Sequence, residues 1–364
     1  MRLLVACPMI AMAAVLGVPP ARGQAPTPAV ATVEFLDVGQ GDATLIRSPE
    51  GKTALVDAGP SNHIVDLLRD RGISAIDLVV VTHHHADHYG GMAEVVRLFH
   101  PRVFLDADSP HTSSHYLALL RRVRDGGITA VRAVPDRPRA IELGSVKLTI
   151  FAQAPRDPKE ENNNSIGVRV DYGSFSTLLP GDAEGPERAW WMRNVPGPCA
   201  DVDVLKLAHH GSRNGTDSAW LGLTRPRLAV ASLGLDNEFG HPHAQTLALL
   251  RSFDVPIRRT DVHGSILIQT DGRDWTLSRS TARARHPSPA DRPAHHPSRH
   301  KAHAGAVHLN TASLEELETL PGIGPALARK IRDGRPYRSV DSLSDVPDMG
   351  KKRIENIRPF VTVD

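Results

Sequence analysis

Four residues able to ligate a divalent cation, His83, His85, Asp87 and His88, fall within the run Thr82-His83-His84-His85-Ala86-Asp87-His88. Imidazole nitrogens and carboxylate oxygens are the ligands that zinc and similar ions take from proteins. The run directly follows an apolar stretch, Ile76 to Val81, that reads as a strand. No regular helix or strand points all four side chains one way. The spacing therefore predicts a strand ending in a tight loop that offers two ligand pairs to two neighbouring ions. Further candidates lie downstream: Asp182 closes Leu178-Leu179-Pro180-Gly181-Asp182, and His209 and His210 follow the apolar run Val202 to Leu207. A carboxylate after a buried strand is costly in isolation and well compensated beside cations. Of the two adjacent rings, His209 is the expected ligand, with His210 close behind.

The elements that must position these residues alternate between Ala31 and about Arg279. Thr32 to Val38, Ala43 to Arg47 and Thr53 to Asp57 resemble three short strands with Gly-rich turns, followed by a helix over Ile64 to Arg71. Later strands are expected at Val103 to Asp106, Val146 to Phe151, Ile166 to Tyr172, Phe175 to Leu179, Val202 to Leu207 and Leu228 to Ser232. A closing pair is expected at Ile257 to Thr260 and Ser265 to Thr270. This count suits an α/β sandwich of two sheets covered by helices on both outer faces.

At 364 residues the chain suggests about two domains. A net charge of +2 supplies no global basic field, so any nucleic-acid reading must rest on local sites. Arg2, the apolar run Leu3 to Val18 and Ala21-Arg22-Gly23 predict a signal peptide over residues 1–23, and hence a periplasmic or secreted mature protein. The two cysteines are Cys7 and Cys199, so cleavage before Gln24 would leave no partner for a disulfide. Residues 31–280 are expected to form the domain that carries these candidate ligands. Residues 281–306 form a Pro-, His- and Arg-rich linker without large apolar residues. Residues 307–364 form a compact helical unit.

The Thr82 to His88 run is similar to the T-H-x-H-x-D-H signature of the metallo-β-lactamase superfamily. That resemblance assigns His83 and His85 to one metal, Asp87 and His88 to the second, and Asp182 to the bridge between them. Asp57, in Leu55-Val56-Asp57-Ala58-Gly59, falls at the family's first motif, where an acid orients the ligand loop. The family's further His is absent: the corresponding stretch reads Glu161-Asn162-Asn163-Asn164-Ser165. Asn164 and Ser165 are expected to support the site there, and a more oxygen-rich centre takes zinc or manganese. Asp37-Val38-Gly39-Gln40-Gly41-Asp42-Ala43, the Asn-rich stretch, Leu179-Pro180-Gly181-Asp182, Leu207-Ala208-His209-His210-Gly211-Ser212 and Gly240-His241-Pro242-His243 together closely resemble the hydrolase domain of ComEC-type competence proteins, without their membrane channel. In that setting His210 and Ser212 can contact a substrate phosphate, and Lys206 can bind phosphate or face solvent. His241 or His243 can protonate a leaving oxygen, or His243 can be an outer metal ligand; alternatively this loop only starts the following helix.

The C-terminal segment opens on Leu309-Asn310-Thr311-Ala312-Ser313 with a capping box, Ser313 and Glu316. Leu320-Pro321-Gly322-Ile323-Gly324-Pro325 and the helix after it read as a helix-hairpin-helix, in which glycines let the backbone approach a DNA phosphate. The whole resembles the paired hairpin domain of ComEA-like DNA receptors. The expected DNA contacts are Gly322, Ile323, Gly324 and Lys330, with Gly350 and Lys351 in the second hairpin. Arg329 could support them, and Arg335 or Arg338 could add to them. Asp348 replaces a glycine in that second hairpin, and the segment has as many acids as bases, so binding is expected to be modest, sequence-independent and salt-sensitive. The expected activity is an exported nuclease using two divalent ions. Its rivals are hydrolysis of another phosphodiester or ester and a DNA receptor with a vestigial metal site; β-lactam hydrolysis is disfavoured by the absent His and the appended module.

Overall fold

A computed structural model describes residues 29–107, 113–133, 137–151, 153–235, 237, 239–279, 307–312, 314–318, 320, 323, 325–346 and 349–363. The expected signal peptide and linker lie outside these, as do Ser313, Gly322, Gly324 and Asp348. The chain divides into two compact units, Met1–Arg285 and His286–Asp364.

The first unit is a two-sheet sandwich. One sheet orders its strands Trp275–Arg279, Ile266–Thr270, Ala31–Phe35, Thr44–Arg47, Thr53–Val56, Leu78–Val80, Val103–Asp106 and Thr129–Arg132. The other orders them Ile257–Arg259, Leu228–Ala231, Val204–Lys206, Phe175–Leu179, Val168–Tyr172, Val146–Ile150 and Arg139–Leu143. Alternate residues such as Val33, Phe35, Val56, Val80, Leu148, Ile150, Val168 and Val204 meet in the central core, as the two-residue period of strands requires. Helices cover the outer faces, several of them through an apolar stripe. In Met92–Phe99, residues Met92, Val95, Val96 and Phe99 are buried, the i, i+3, i+4, i+7 pattern of an amphipathic helix.

One expectation fails here. Ile257–Arg259 and Ile266–Thr270 do not pair: the first joins Leu228–Ala231 in parallel, and the second lies antiparallel to Ala31–Phe35 in the other sheet. A helical turn at Thr260–His263, ended by Gly264, carries the chain across. The antiparallel partner of Ile266–Thr270 on its other side is Trp275–Arg279, which the sequence reading did not assign.

The second unit packs Leu309, Leu317, Leu320, Ile331, Leu343, Ile354 and Ile357 into one core. Helices at Leu314–Glu318, Pro325–Asp333 and Lys351–Ile357 surround it, and Val307–His308 pairs in parallel with Val361–Thr362.

Candidate metal centre

Parallel strands from both sheets deliver the candidate ligands at their carboxyl ends, where loops can gather side chains that the strands themselves must separate. Thr53–Val56 leads to Asp57, Leu78–Val80 to the Thr82 to His88 run, Phe175–Leu179 to Asp182, and Val204–Lys206 to His209 and His210. Two glycines let these loops close. Gly41 has φ 140°, and a Cβ there would strike the carbonyl oxygen of Asp87. Gly181 has φ 58°, with Ser165 Oγ and Thr82 Cβ each 3.0 Å from where a Cβ would be.

The loops bring His83, His88 and Asp182 together, with ligand atoms all within 4.8 Å of one another, and do the same for Asp87, His88 and His210, and for Asp42, Asp182 and His210. His88 Nε2 lies 3.3 Å from Asp182 Oδ2, and His210 Nε2 lies 3.4 Å from the same oxygen and 3.2 Å from Asp87 Oδ2. His83 Nε2 is 3.9 Å from Asp182 and 3.0 Å from His85 Nδ1. Each of the two central rings is oriented from behind: His88 Nδ1 donates to Asp57 Oδ2 at 2.8 Å, and His210 Nδ1 to the Ser232 carbonyl at 2.9 Å. Asp57 also accepts from the amide and hydroxyl of Thr82, at 2.8 and 2.7 Å. With the δ nitrogens so engaged, the ε nitrogens of His88 and His210 face inward, buried and without a hydrogen-bonding partner, as does Asp182 Oδ1. Buried polar atoms left in this state are rare, and a bound cation is one arrangement that satisfies them.

Charge is correspondingly concentrated. Burial alone would raise the Asp182 carboxyl, but His210 and His88 outweigh it and hold it well below the usual range. Burial also opposes charge on His88 and His210, yet Asp182 with Asp57, and Asp182 with Asp42, lift their pKa values well above that of free histidine. His83 moves the other way, lowered by burial and by the neighbouring His88. Asp57 is raised by burial.

Several expected positions differ from the structure. His210 occupies the place proposed for His209. His209 and His210 both adopt left-handed backbone, φ 50° and 54°, and this turns His209 outward, where Nδ1 lies 3.1 Å from Glu184 Oε1. Two successive non-glycine residues in this region cost roughly 1–3 kcal/mol each, strain that clusters at functional sites. Lys206 does not face solvent: it is 2% exposed and forms an ion pair with Asp42, with Asp182 Oδ1 3.7 Å away. Ser212 spends its hydroxyl on Asn214 Oδ1 and its carbonyl on the Thr246 hydroxyl. Asn164 binds its own loop through Asp157 and Glu160. Ser165 Oγ accepts from the Asp182 amide at 3.1 Å and donates to the Asn162 carbonyl, so it positions Asp182. His241, 8% exposed, and His243 lie at the rim with ring centroids 4.8 Å apart. The Arg213 amide donates to His243 Nδ1 at 3.0 Å.

The sequence reading missed Asp42, Asp106, Glu161 and Glu184 as members of this polar shell. His84 is wholly buried against Tyr116, ring centroids 4.1 Å apart, with Nδ1 3.4 Å from Glu161. The Tyr116 hydroxyl donates to Asp106 at 2.8 Å, so this cluster buttresses the loop that carries the candidate ligands. The signal for Asp42 was its place in a Gly-rich loop rather than its residue type.

In the second unit, Lys330 and Lys351 are exposed, as is Arg329, while Ile323 is 4% exposed within the core. An apolar side chain so placed holds the hairpin together and cannot itself touch DNA. Gly350 caps Lys351–Ile357, and a Cβ there would meet open space. Arg335 donates to the carbonyls of Leu309 and Ala312, at 2.7 and 2.6 Å, and so serves the fold of the unit.

The sequence pattern of the metallo-beta-lactamase superfamily matches residues 36–234, and that of the helix-hairpin-helix motif matches residues 303–362. The chain is similar to ComE operon protein 3 of Bacillus subtilis (strain 168), 27% identical over 272 residues covering 68% of this chain and 34% of that protein. Recombination protein 2 of Haemophilus influenzae is 26% identical over 244 residues, 65% of this chain and 28% of that one. A deoxyribonuclease of Thioalkalivibrio sp. (strain K90mix) is 46% identical over 55 residues, 15% of each. The chain thus spans about a third or less of the length of these curated relatives.

Proposed function

Because the chain belongs to the metallo-beta-lactamase superfamily, we propose that it is a phosphodiesterase dependent on two divalent ions, zinc or manganese, that cuts DNA retained by its helix-hairpin-helix unit without sequence preference. The observation that carries this reading is the pair of inward, partnerless ε nitrogens of His88 and His210 around Asp182, on one chain with a helix-hairpin-helix match. His83, His85, Asp87, His88, Asp182 and His210 would hold the ions, with Asp42 at the margin. When bound, such ions supply Lewis acidity toward a phosphate oxygen and a water of lowered pKa.

The chain's own residues supply the rest. Asp57 and the Ser232 carbonyl fix the two central rings in the tautomer that leaves Nε2 open. Burial, with the charges of His210, His209 and His243, pushes His241 down to about 4, so at neutral pH it is an uncharged ring that shapes the rim. His243 carries its proton on Nε2, because Nδ1 accepts from the Arg213 amide, and in that form it can donate a hydrogen bond to a leaving oxygen. The charged N-terminus and apolar run argue that this chemistry takes place outside the cytoplasm; no described helix is long and apolar enough to cross a membrane.

The test is incubation of the purified protein with labelled single- and double-stranded DNA, with zinc or manganese and with chelator. Metal-dependent shortening of the strand is expected; intact DNA under every condition, with turnover of another phosphodiester or ester, would replace DNA as the substrate. Loading should also release protons, because the neighbouring carboxylates, Asp182 foremost, raise the pKa of His88 and His210, whereas a ring nitrogen must be free of its proton to bind. Apparent metal affinity therefore falls as pH is lowered, and calorimetry in buffers of different ionisation enthalpy measures the release; a pH-independent affinity would contradict it. Residues 24–280 alone should still cut but require more DNA, the difference shrinking at high salt as phosphate contacts are screened. Equal KM for the truncated and full chains at low salt would remove the hairpin unit from the account.

A further inference from the structure

We propose that Phe239 is a stacking platform for a nucleobase beside the metal centre, an inference that rests on the reading of the chain as a nucleic-acid hydrolase. Phe239 is 56% exposed. Its ring stacks on His241 with centroids 5.7 Å apart and planes 24° apart, and His241 in turn stacks over His210 at 6.2 Å and 28°. Three nearly parallel rings therefore descend from solvent to the residue whose Nε2 faces Asp87 and Asp182. The inner two rings belong to the centre; the outermost presents a bare aromatic face.

The backbone on either side of that ring is braced before any ligand arrives. Asn237 Nδ2 donates to the carbonyls of Gly234 and His241, at 3.1 and 3.0 Å, and the His241 amide donates back to Asn237 Oδ1 at 2.8 Å. The Gly234 amide donates to Gln40 Oε1 at 3.3 Å, which ties the loop to the glycine-rich turn that carries Asp42. A fixed aromatic ring binds a flat ligand with little further loss of conformational freedom. Leu235 on the same loop is 62% exposed and adds apolar surface. Among ligands of a phosphodiesterase, a nucleobase offers the matching flat face, and stacking is indifferent to which base it is because every base has one. A base laid on Phe239 would bring a phosphate of its own strand to the cluster, so the platform sets which phosphate is presented.

The experiment uses the full chain, supplied with manganese and separately with zinc, and a hydrolysis-resistant tetranucleotide carrying 2-aminopurine, whose fluorescence is quenched by stacking. Wild type should quench the probe. Phe239→Ala should weaken binding by about 5- to 150-fold, the loss of one base stack, Phe239→Tyr should restore it, and an abasic probe should bind both proteins equally. Absence of quenching in wild type, or a Phe239→Ala variant that binds and quenches as wild type does, overturns the platform. Quenching that depends on Phe239 without cleavage of any phosphodiester would overturn the hydrolase reading and leave the platform standing. DNA cleavage with unchanged KM in Phe239→Ala would do the reverse.

Discussion

Replacing Asp182 with alanine is expected to lower phosphodiester hydrolysis by roughly a thousandfold or more, the equivalent of about 4 kcal/mol of lost transition-state stabilisation. Asp182 contributes to two of the ligand groups and lies against both His88 and His210, so its loss removes the carboxylate common to them. Metal content, read by elemental analysis after gel filtration, should fall with activity. Retention of DNA by residues 307–364 should persist, because those residues belong to the other compact unit. A variant that cut DNA at the wild-type rate would show that the reaction does not use this cluster.

The second large effect concerns stability. Lys206→Met should destabilise the metal-free first unit by about 3–5 kcal/mol, since removing one member of a buried ion pair leaves the other charge uncompensated. Asp42 is 4% exposed and Lys206 2%, and Lys206, then His210, overcome the burial that would otherwise raise the Asp42 carboxyl. The expected fall in Tm, about 2–4 °C per kcal/mol in a unit of this size, is roughly 6–20 °C. Adding Asp42→Asn should recover most of it. Thermal unfolding with chelator present measures both; a single variant as stable as wild type would mean that water or His210 already neutralises Asp42.

Sequence alone placed the strands with the clearest apolar runs, Val103–Asp106 and Phe175–Leu179, at the bounds the structure shows. It also pointed to His83, His88, Asp87 and Asp182, because imidazoles and carboxylates gathered so densely behind apolar strands are costly to bury unless a cation compensates them. The choice between His209 and His210 was illegible, since it depends on two consecutive left-handed residues, a backbone state that neither side chain announces. The surroundings of Lys206 were illegible for a related reason: its place in the sequence suits a phosphate contact or a solvated side chain equally, and only the three-dimensional return of Asp42 reveals its ion pair. Trp275–Arg279 escaped because its side chains are largely half-buried or exposed and give no strong apolar signal.

The parallel pairing of Val307–His308 with Val361–Thr362 has a consequence for how the second unit can be handled. Its point of entry and its point of exit are neighbours, so the segment is topologically a closed cassette: it can be spliced into a surface loop of an unrelated protein without prising its ends apart. The same feature makes Thr362 and Val363 part of the scaffold, since the Leu309 amide donates to the Thr362 carbonyl at 2.7 Å and Asn310 donates to the Val363 carbonyl. An affinity tag should therefore not replace Val361 to Val363.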